Sequence, residues 1–333
     1  MATPELQQLQ PNTDLDLMAD IFHAQAVLAR PDSPVRPTEI FYDDVLSERY
    51  EADIWFASEL HQVIGAYKMR GADYLIQSLA PEQQDKELVA SSAGNWAQAI
   101  ALRSRSHIFM PSNTPTQKVQ AAIDHGGDTT EITLVGKTYD ACEAAALEYC
   151  RTTGGVFAPP FNHRKVIAGH GTWGREIVEA LPDLDTVFCP VGGGGLSAGV
   201  GTALLYHNPA IEFIGVEPAK AASMTSARYN GAPTRLADID TFVDGAAVGQ
   251  VGAIPFAIVN PLFSRVLTVA KRDVRRTTTE LWNRDMRVEL AGALALAGLE
   301  QVAPSLVGKK VLYLLTGGNL SAERFESEVR LTA

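Results

Sequence analysis

Four short segments of the chain hold residue types that could do chemistry. The run Gly192-Gly193-Gly194-Gly195 follows an apolar stretch ending Cys189-Pro190-Val191 and opens a helical pattern at Leu196. Backbone N–H groups with no side chain in the way, at the positive end of a helix, make a cup for a phosphate. No Lys-Ser or Lys-Thr follows, so the run is not a P-loop, and it lacks the interrupted spacing of a dinucleotide turn. Tight helix–sheet packing is the plain alternative, against which stands the entropy cost of four consecutive glycines. The segment Ser91-Ser92-Ala93-Gly94-Asn95-Trp96-Ala97-Gln98 also lies between a strand and a helix. Its hydroxyls and open amides suit a carboxylate, or Ser92 simply caps the helix. Lys68, in Tyr67-Lys68-Met69-Arg70-Gly71-Ala72, has aromatic and small neighbours. An amine in an apolar pocket is partly deprotonated and becomes a nucleophile or Schiff-base former; a solvated helix lysine is the bland reading. Thr316, in Leu314-Leu315-Thr316-Gly317-Gly318-Asn319, puts a hydroxyl at a strand end, for chemistry or for capping.

The elements that position these residues alternate. Short apolar runs at 52–57, 88–91, 107–110, 131–135, 186–190, 212–217, 265–269 and 311–315 read as strands. Helical patterns lie at 98–105, 116–125, 138–152, 196–206, 274–283 and 291–301. Near the start, Leu15, Leu17, Met18, Ile21, Phe22, Ala26 and Leu28 space out as one amphipathic helix, after a first dozen residues that read as a loose tail. Alternation of this kind implies crossover connections and a largely parallel sheet. Glycine-rich turns following the strands then fall at the carboxyl edge, where α/β proteins bind ligands.

Composition narrows the class. The 333 residues are 46% hydrophobic and 20% charged, which excludes a disordered chain. A formal charge of -11 disfavours nucleic-acid partners. No apolar run reaches the roughly 20 residues of a membrane helix, and the polar N-terminus lacks a signal-peptide pattern. Cytoplasm is the expected location. Cys142, Cys150 and Cys189 are too few and scattered for a disulfide framework or zinc site, and are expected to be buried.

Together, a phosphate cup, an isolated lysine, a carboxylate loop and a strand-end hydroxyl are the parts of a pyridoxal 5'-phosphate enzyme. The chain resembles the fold-type II members of that group, the tryptophan synthase β superfamily, and within it the threonine/serine dehydratases. The family's S-F/Y-K-x-R-G-A stands here as Ala66 to Ala72, S-A-G-N-H-A-Q as Ser92 to Gln98, P-V-G-G-G-G-L as Pro190 to Leu196, and S-G-G-N as Thr316 to Asn319. Val166 to Thr172, Gly215 to Pro218, Asp244 to Val248, and Glu289 with Ala291 to Gly298 extend the match in order.

The resemblance implies two three-layer α/β/α lobes with mostly parallel sheets and the cofactor between them. The larger would hold residues 1–52 and 153–333, the smaller 53–152. It implies that Lys68 carries the cofactor as a Schiff base and then acts as the base at the substrate α-carbon. Tyr67, Asn95, Gly192 to Gly195, Leu196, Gly245, Glu289 and Thr316 would complete the cofactor site. Ser92, Ala93, Gly94, Asn95, Trp96 and His170 would form the substrate end. Thr316 faces the pyridine nitrogen in this reading, and a neutral hydroxyl there favours α,β-elimination. The implied reaction converts L-threonine to 2-oxobutanoate and ammonia, with L-serine as another substrate. The small-molecule amino acid is the partner, alongside a second or further copies in a homodimer or homotetramer.

Three positions depart from the family pattern: Ala66 replaces Ser, Trp96 replaces His and His170 replaces Gln. The indole either reshapes the substrate end or turns into the core. Ala93, where racemases carry Ser, disfavours racemisation. A β-replacement enzyme of the cysteine or diaminopropionate synthase kind, and a catalytically impaired paralogue that keeps the cofactor, remain the alternatives. Ser223 stands where metal-activated relatives place an acid, so no metal site is expected beside Glu217. Fourteen residues follow Asn319, so a C-terminal regulatory domain is not expected.

Overall fold

The structure, a computed structural model, describes residues 14–330, so the expected N-terminal tail lies outside the described residues. In chain order the elements begin with α1 (Leu15–Leu28), β1 (Glu39–Tyr42), α2 (Asp44–Tyr50), β2 (Asp53–Ser58), α3 (Lys68–Gln77), β3 (Leu88–Ser91), α4 (Asn95–Arg103) and β4 (Ser106–Met110). They continue with α5 (Thr116–Gly126), β5 (Thr130–Leu134), α6 (Tyr139–Thr153), β6 (Val156–Phe157), α7 (Arg164–Ala180), β7 (Thr186–Pro190), α8 (Gly195–His207) and β8 (Glu212–Pro218). Then follow α9 (Ser223–Asn230), α10 (Ala253–Val259), β9 (Arg265–Val269), α11 (Lys271–Asn283), α12 (Leu290–Ala297), β10 (Lys310–Leu315) and the short α13 (Ala322–Arg324).

Two sheets result. The larger has the order β1-β2-β10-β7-β8-β9, and the smaller β5-β4-β3-β6. All pairs are parallel except β1 with β2. The expected boundaries at 53 and 152 need correction. Strand β2 pairs with β10 and belongs to the larger sheet, and β6 pairs with β3 in the smaller. Sheet membership therefore changes after residues 58 and 157, because strand pairing joins segments far apart in sequence.

Period-2 alternation on the central strands builds the layers. Leu312 and Leu314 of β10 pack with α1, α7, α8 and α10, while Val311, Tyr313 and Leu315 pack with α11 and α12 on the opposite face. Burying both faces of a parallel sheet accounts for the uninterrupted apolar character of these strands. Helix α1 is capped by Asp14, whose Oδ1 accepts from Leu17 N at 2.8 Å. Of its expected apolar face, Leu15 and Phe22 stand 55% and 43% exposed, and Ala24 and Val27 are buried instead. Cys142 and Cys189 are buried as expected, whereas Cys150 is only half-buried. Among the described residues no helix is long and apolar enough to cross a membrane.

Candidate active site

The singled-out segments leave the carboxyl ends of β2, β3, β7 and β10. That edge is where α/β sheets expose loop amides to a ligand. The lysine arm is tied to the strand-end loop through the backbone. Tyr67 N donates to Thr316 O at 3.0 Å and Gly318 N to Gly65 O at 2.9 Å, with Ala66 bridged to Gly317 between them. Lys68 begins α3, and Thr316 is held beside it whatever the rest of the site does. Among the described residues the Thr316 hydroxyl has no hydrogen-bond partner although the residue is 2% exposed.

Lys68 Nζ donates to Pro160 O at 2.7 Å. The next residue, Phe161, covers the glycine loop: a Cβ on Gly193 would lie 2.3 Å from its ring and one on Gly195 3.0 Å from its Cβ. Lysine and glycine loop thus flank one dipeptide. Burial lowers the Lys68 ammonium to about 7, with the Glu289 carboxylate pulling the other way. Gly194, at φ +87°, takes a left-handed conformation that favours glycine, and α8 starts immediately after it. A side chain at Gly192 would press on Ala246 Cα at 3.1 Å. Leu196, second in α8, lies in the first turn of the helix and packs its side chain in the core.

Asn95 opens α4. Its Nδ2 donates to both Glu289 carboxylate oxygens at 2.9 and 3.2 Å, and its Oδ1 accepts from Asn319 Nδ2 at 2.8 Å. Burial, reinforced by Asp244, pushes the Glu289 carboxyl up to about 7. Gly245 borders it, since a Cβ there would sit 3.6 Å from Glu289 Oε1. Ser92 Oγ accepts from Gly94 N at 3.3 Å, and Gly94 faces open space. Ala93 packs against the apolar cluster of Ala97 and Ala101 and presents no acid.

Two expected substrate contacts are placed elsewhere. The Trp96 indole is turned into the core, 2% exposed, with Nε1 donating to Ala158 O at 2.9 Å. Its apolar bulk is satisfied by the cluster of Ala66, Met69, Ala99 and Ile100. His170 is fully buried behind Tyr67, ring to ring at 4.8 Å, and neither of its ring nitrogens finds a partner. A ring with no accessible surface supports the pocket from behind.

The sequence reading passed over the brace beneath the lysine. Arg70 makes paired hydrogen bonds to Glu59 at 2.8 and 2.9 Å and to Glu176 at 2.6 and 2.9 Å. Arg70 stood in the lysine motif, but Glu176 lies on α7 and carries no local signal. Pro160, as the acceptor for Lys68, also went unseen, because any backbone carbonyl can accept. Glu217, beside which no metal was expected, accepts from Met224 N at 3.0 Å and Thr225 N at 2.8 Å at the start of α9.

The residues present fit pyridoxal phosphate. A side-chain-free loop at a helix N-terminus matches a phosphate, an amine displaced toward neutrality matches its aldehyde, and an unpartnered strand-end hydroxyl can meet a ring nitrogen. Comparison with known proteins agrees. The family model described as pyridoxal-phosphate dependent enzyme matches residues 32–317. A biosynthetic L-threonine dehydratase of Halalkalibacterium halodurans is 38% identical over 296 residues, covering 87% of this chain and 71% of that protein. One of Bacillus subtilis is 38% identical over 299 residues, covering 87% and 70%. Among solved structures, the processed form of threonine deaminase isoform 2 from Solanum lycopersicum superposes with a TM-score of 0.88 at 32% identity, covering 100% of this chain and 99% of that one. Maize serine racemase gives 0.86 at 28% identity, covering 92% and 95%. Motifs, fold and site geometry converge, and this chain belongs to the pyridoxal-phosphate dependent enzymes of fold type II.

Proposed function

We propose that this enzyme removes the β-hydroxyl and the amino group of L-threonine, releasing 2-oxobutanoate and ammonia, with L-serine as a second substrate. The observation that carries the reading is Lys68, whose amine sits on Pro160 O in a largely apolar pocket and is lowered to about 7. An amine in that range both takes and returns a proton at neutral pH, as a general base must. Kinship with proteins named as threonine dehydratases supports the choice of substrate.

Bound pyridoxal phosphate supplies an electron sink for charge developed at the substrate α-carbon. In our reading the amides of Gly192 to Leu196 hold its phosphate, and Asn95, Glu289 and Gly245 border its ring. The Thr316 hydroxyl would face the ring nitrogen, and a neutral partner there would leave the cofactor a weak electron sink, suited to elimination. The start of α4, with Ser92 and Gly94, receives the substrate carboxylate. Lys68 Nζ removes the α-proton. Ala93 offers no acid to return a proton on the opposite face, so elimination wins over racemisation. We assign the enzyme to the cytoplasm as a homodimer or homotetramer, by analogy with its family.

The test is one cuvette. The purified protein with pyridoxal phosphate is expected to show a visible absorbance band that shifts on adding L-threonine while 2-oxo acid accumulates. A band that ignores both L-threonine and L-serine, without 2-oxo acid, overturns the reading. Oxo acid that is replaced by adduct when a thiol is added points to β-replacement.

A further inference from the structure

Lys68 Nζ lies over two aromatic faces, 5.2 Å from the Tyr67 ring centroid and 5.6 Å from that of Trp96. Both separations are within reach of a cation–π attraction, for which indole is the strongest of the protein rings. Neither ring can swing away. The Trp96 indole is pinned by Nε1 to Ala158 O at 2.9 Å, two residues from the carbonyl that receives Lys68. Tyr67 is backed by His170 at 4.8 Å and stacked on Trp173 at 6.2 Å. Ala66, where the family motif has Ser, joins Trp96 in one buried apolar cluster.

We propose that Trp96 and Tyr67 form an aromatic clamp that stabilises the protonated amine of Lys68, which makes Trp96 a positioning residue for the lysine. Burial strips water from the ammonium and drives the proton off; the two ring faces replace part of that lost solvation. The remaining ionisable neighbours are accounted for. Glu289 favours the ammonium, and His170 is held neutral by burial and by Lys68 itself. The Tyr67 phenol is kept protonated by burial, and the Arg70 charge is matched by Glu59 and Glu176. A family histidine at position 96 would offer a smaller ring, so the substitution changes how the lysine holds its proton.

The clamp rests on Lys68 being the residue that captures pyridoxal phosphate, and the experiment separates the two claims. The capture rate of pyridoxal phosphate by the apoprotein is followed against pH, and the product is reduced with borohydride and mapped. Ionisation of pyridoxal phosphate is common to all variants and cancels in the comparison. Trp96→Leu is expected to lower the midpoint by about half a unit to one unit, and Trp96→Phe by less. Because Trp96→Leu could fail to fold, wild-type protein grown with progressively fluorinated tryptophans provides a second arm. Fluorination drains the ring face without changing its shape, and the midpoint is expected to fall stepwise. Label on Lys68 with an unmoved or raised midpoint overturns the clamp. Label on another lysine overturns the assignment of Lys68.

Discussion

Asn95, the first residue of a helix on the smaller sheet, donates its amide to both carboxylate oxygens of Glu289, at 2.9 and 3.2 Å, from the loop before α12 on the larger sheet. Asn319, after β10, completes the knot by donating to Asn95 Oδ1 and to Ile64 O. Four segments of the chain, at Ile64, Asn95, Glu289 and Asn319, are thereby locked together. A charge-assisted hydrogen bond in a half-buried setting exceeds the worth of a surface contact.

The same burial makes Glu289 a pH-dependent burden. Its carboxyl is raised from 4.5 to about 7, so the folded protein binds a proton that the unfolded chain releases. The stability associated with that proton is present in full below about 4.5 and is lost as pH rises through about 7. Glu289→Gln keeps an acceptor for Asn95 and carries no charge. It is expected to melt higher than wild type above pH 7, by about 1–2 kcal/mol given the solvent the group still sees. The difference should shrink to nothing by about pH 4; melting curves across that range decide, and a difference independent of pH contradicts the assignment.

Arg70 joins the lysine helix to two buried or half-buried carboxylates, one of which, Glu59, is 1% exposed. Removing the guanidinium strands Glu59 in a dry site. Arg70→Ala is expected to cost about 3–5 kcal/mol in urea unfolding. Arg70→Lys should recover little, since an ammonium cannot pair both oxygens of two carboxylates. A loss under about 1 kcal/mol would show that the brace is ornamental.

Gly199 on α8 lies against α7 with no room for a methyl: a Cβ there would sit 2.2 Å from Ile167 O and 2.7 Å from Gly171 N. Gly199→Ala should destabilise by about 1–3 kcal/mol by forcing the helices apart. Gly94→Ala, with nothing within 4 Å of the added carbon, is expected to leave thermal stability unchanged while lowering the rate of oxo-acid formation. Paired melting and activity assays read both.

Loop chemistry was legible in the sequence because it is local. Strand, glycine run and helix start are contiguous at 186–207, and backbone amides need no distant partner to form a cup. All eight strands expected from apolar runs alone fall within a residue of the observed ends, and 88–91, 186–190 and 265–269 coincide with them. Helix α7 is absent from the expected helical patterns, and Gly169, Gly171 and Gly174 within it are poor helix formers. In the fold those glycines let α7 touch its neighbours, for a Cβ at each would lie 2.6 Å from Arg70 O, 2.5 Å from Ile21 Cδ1 and 2.8 Å from Val200 O.

The direction of the Trp96 indole, the burial of His170 and the membership of β2 in the larger sheet were decided only by the tertiary structure. The sequence by itself determined which residues could do chemistry and which turns present them. Where a side chain points depends on the summed packing of segments hundreds of residues apart, and no local spacing encodes that sum.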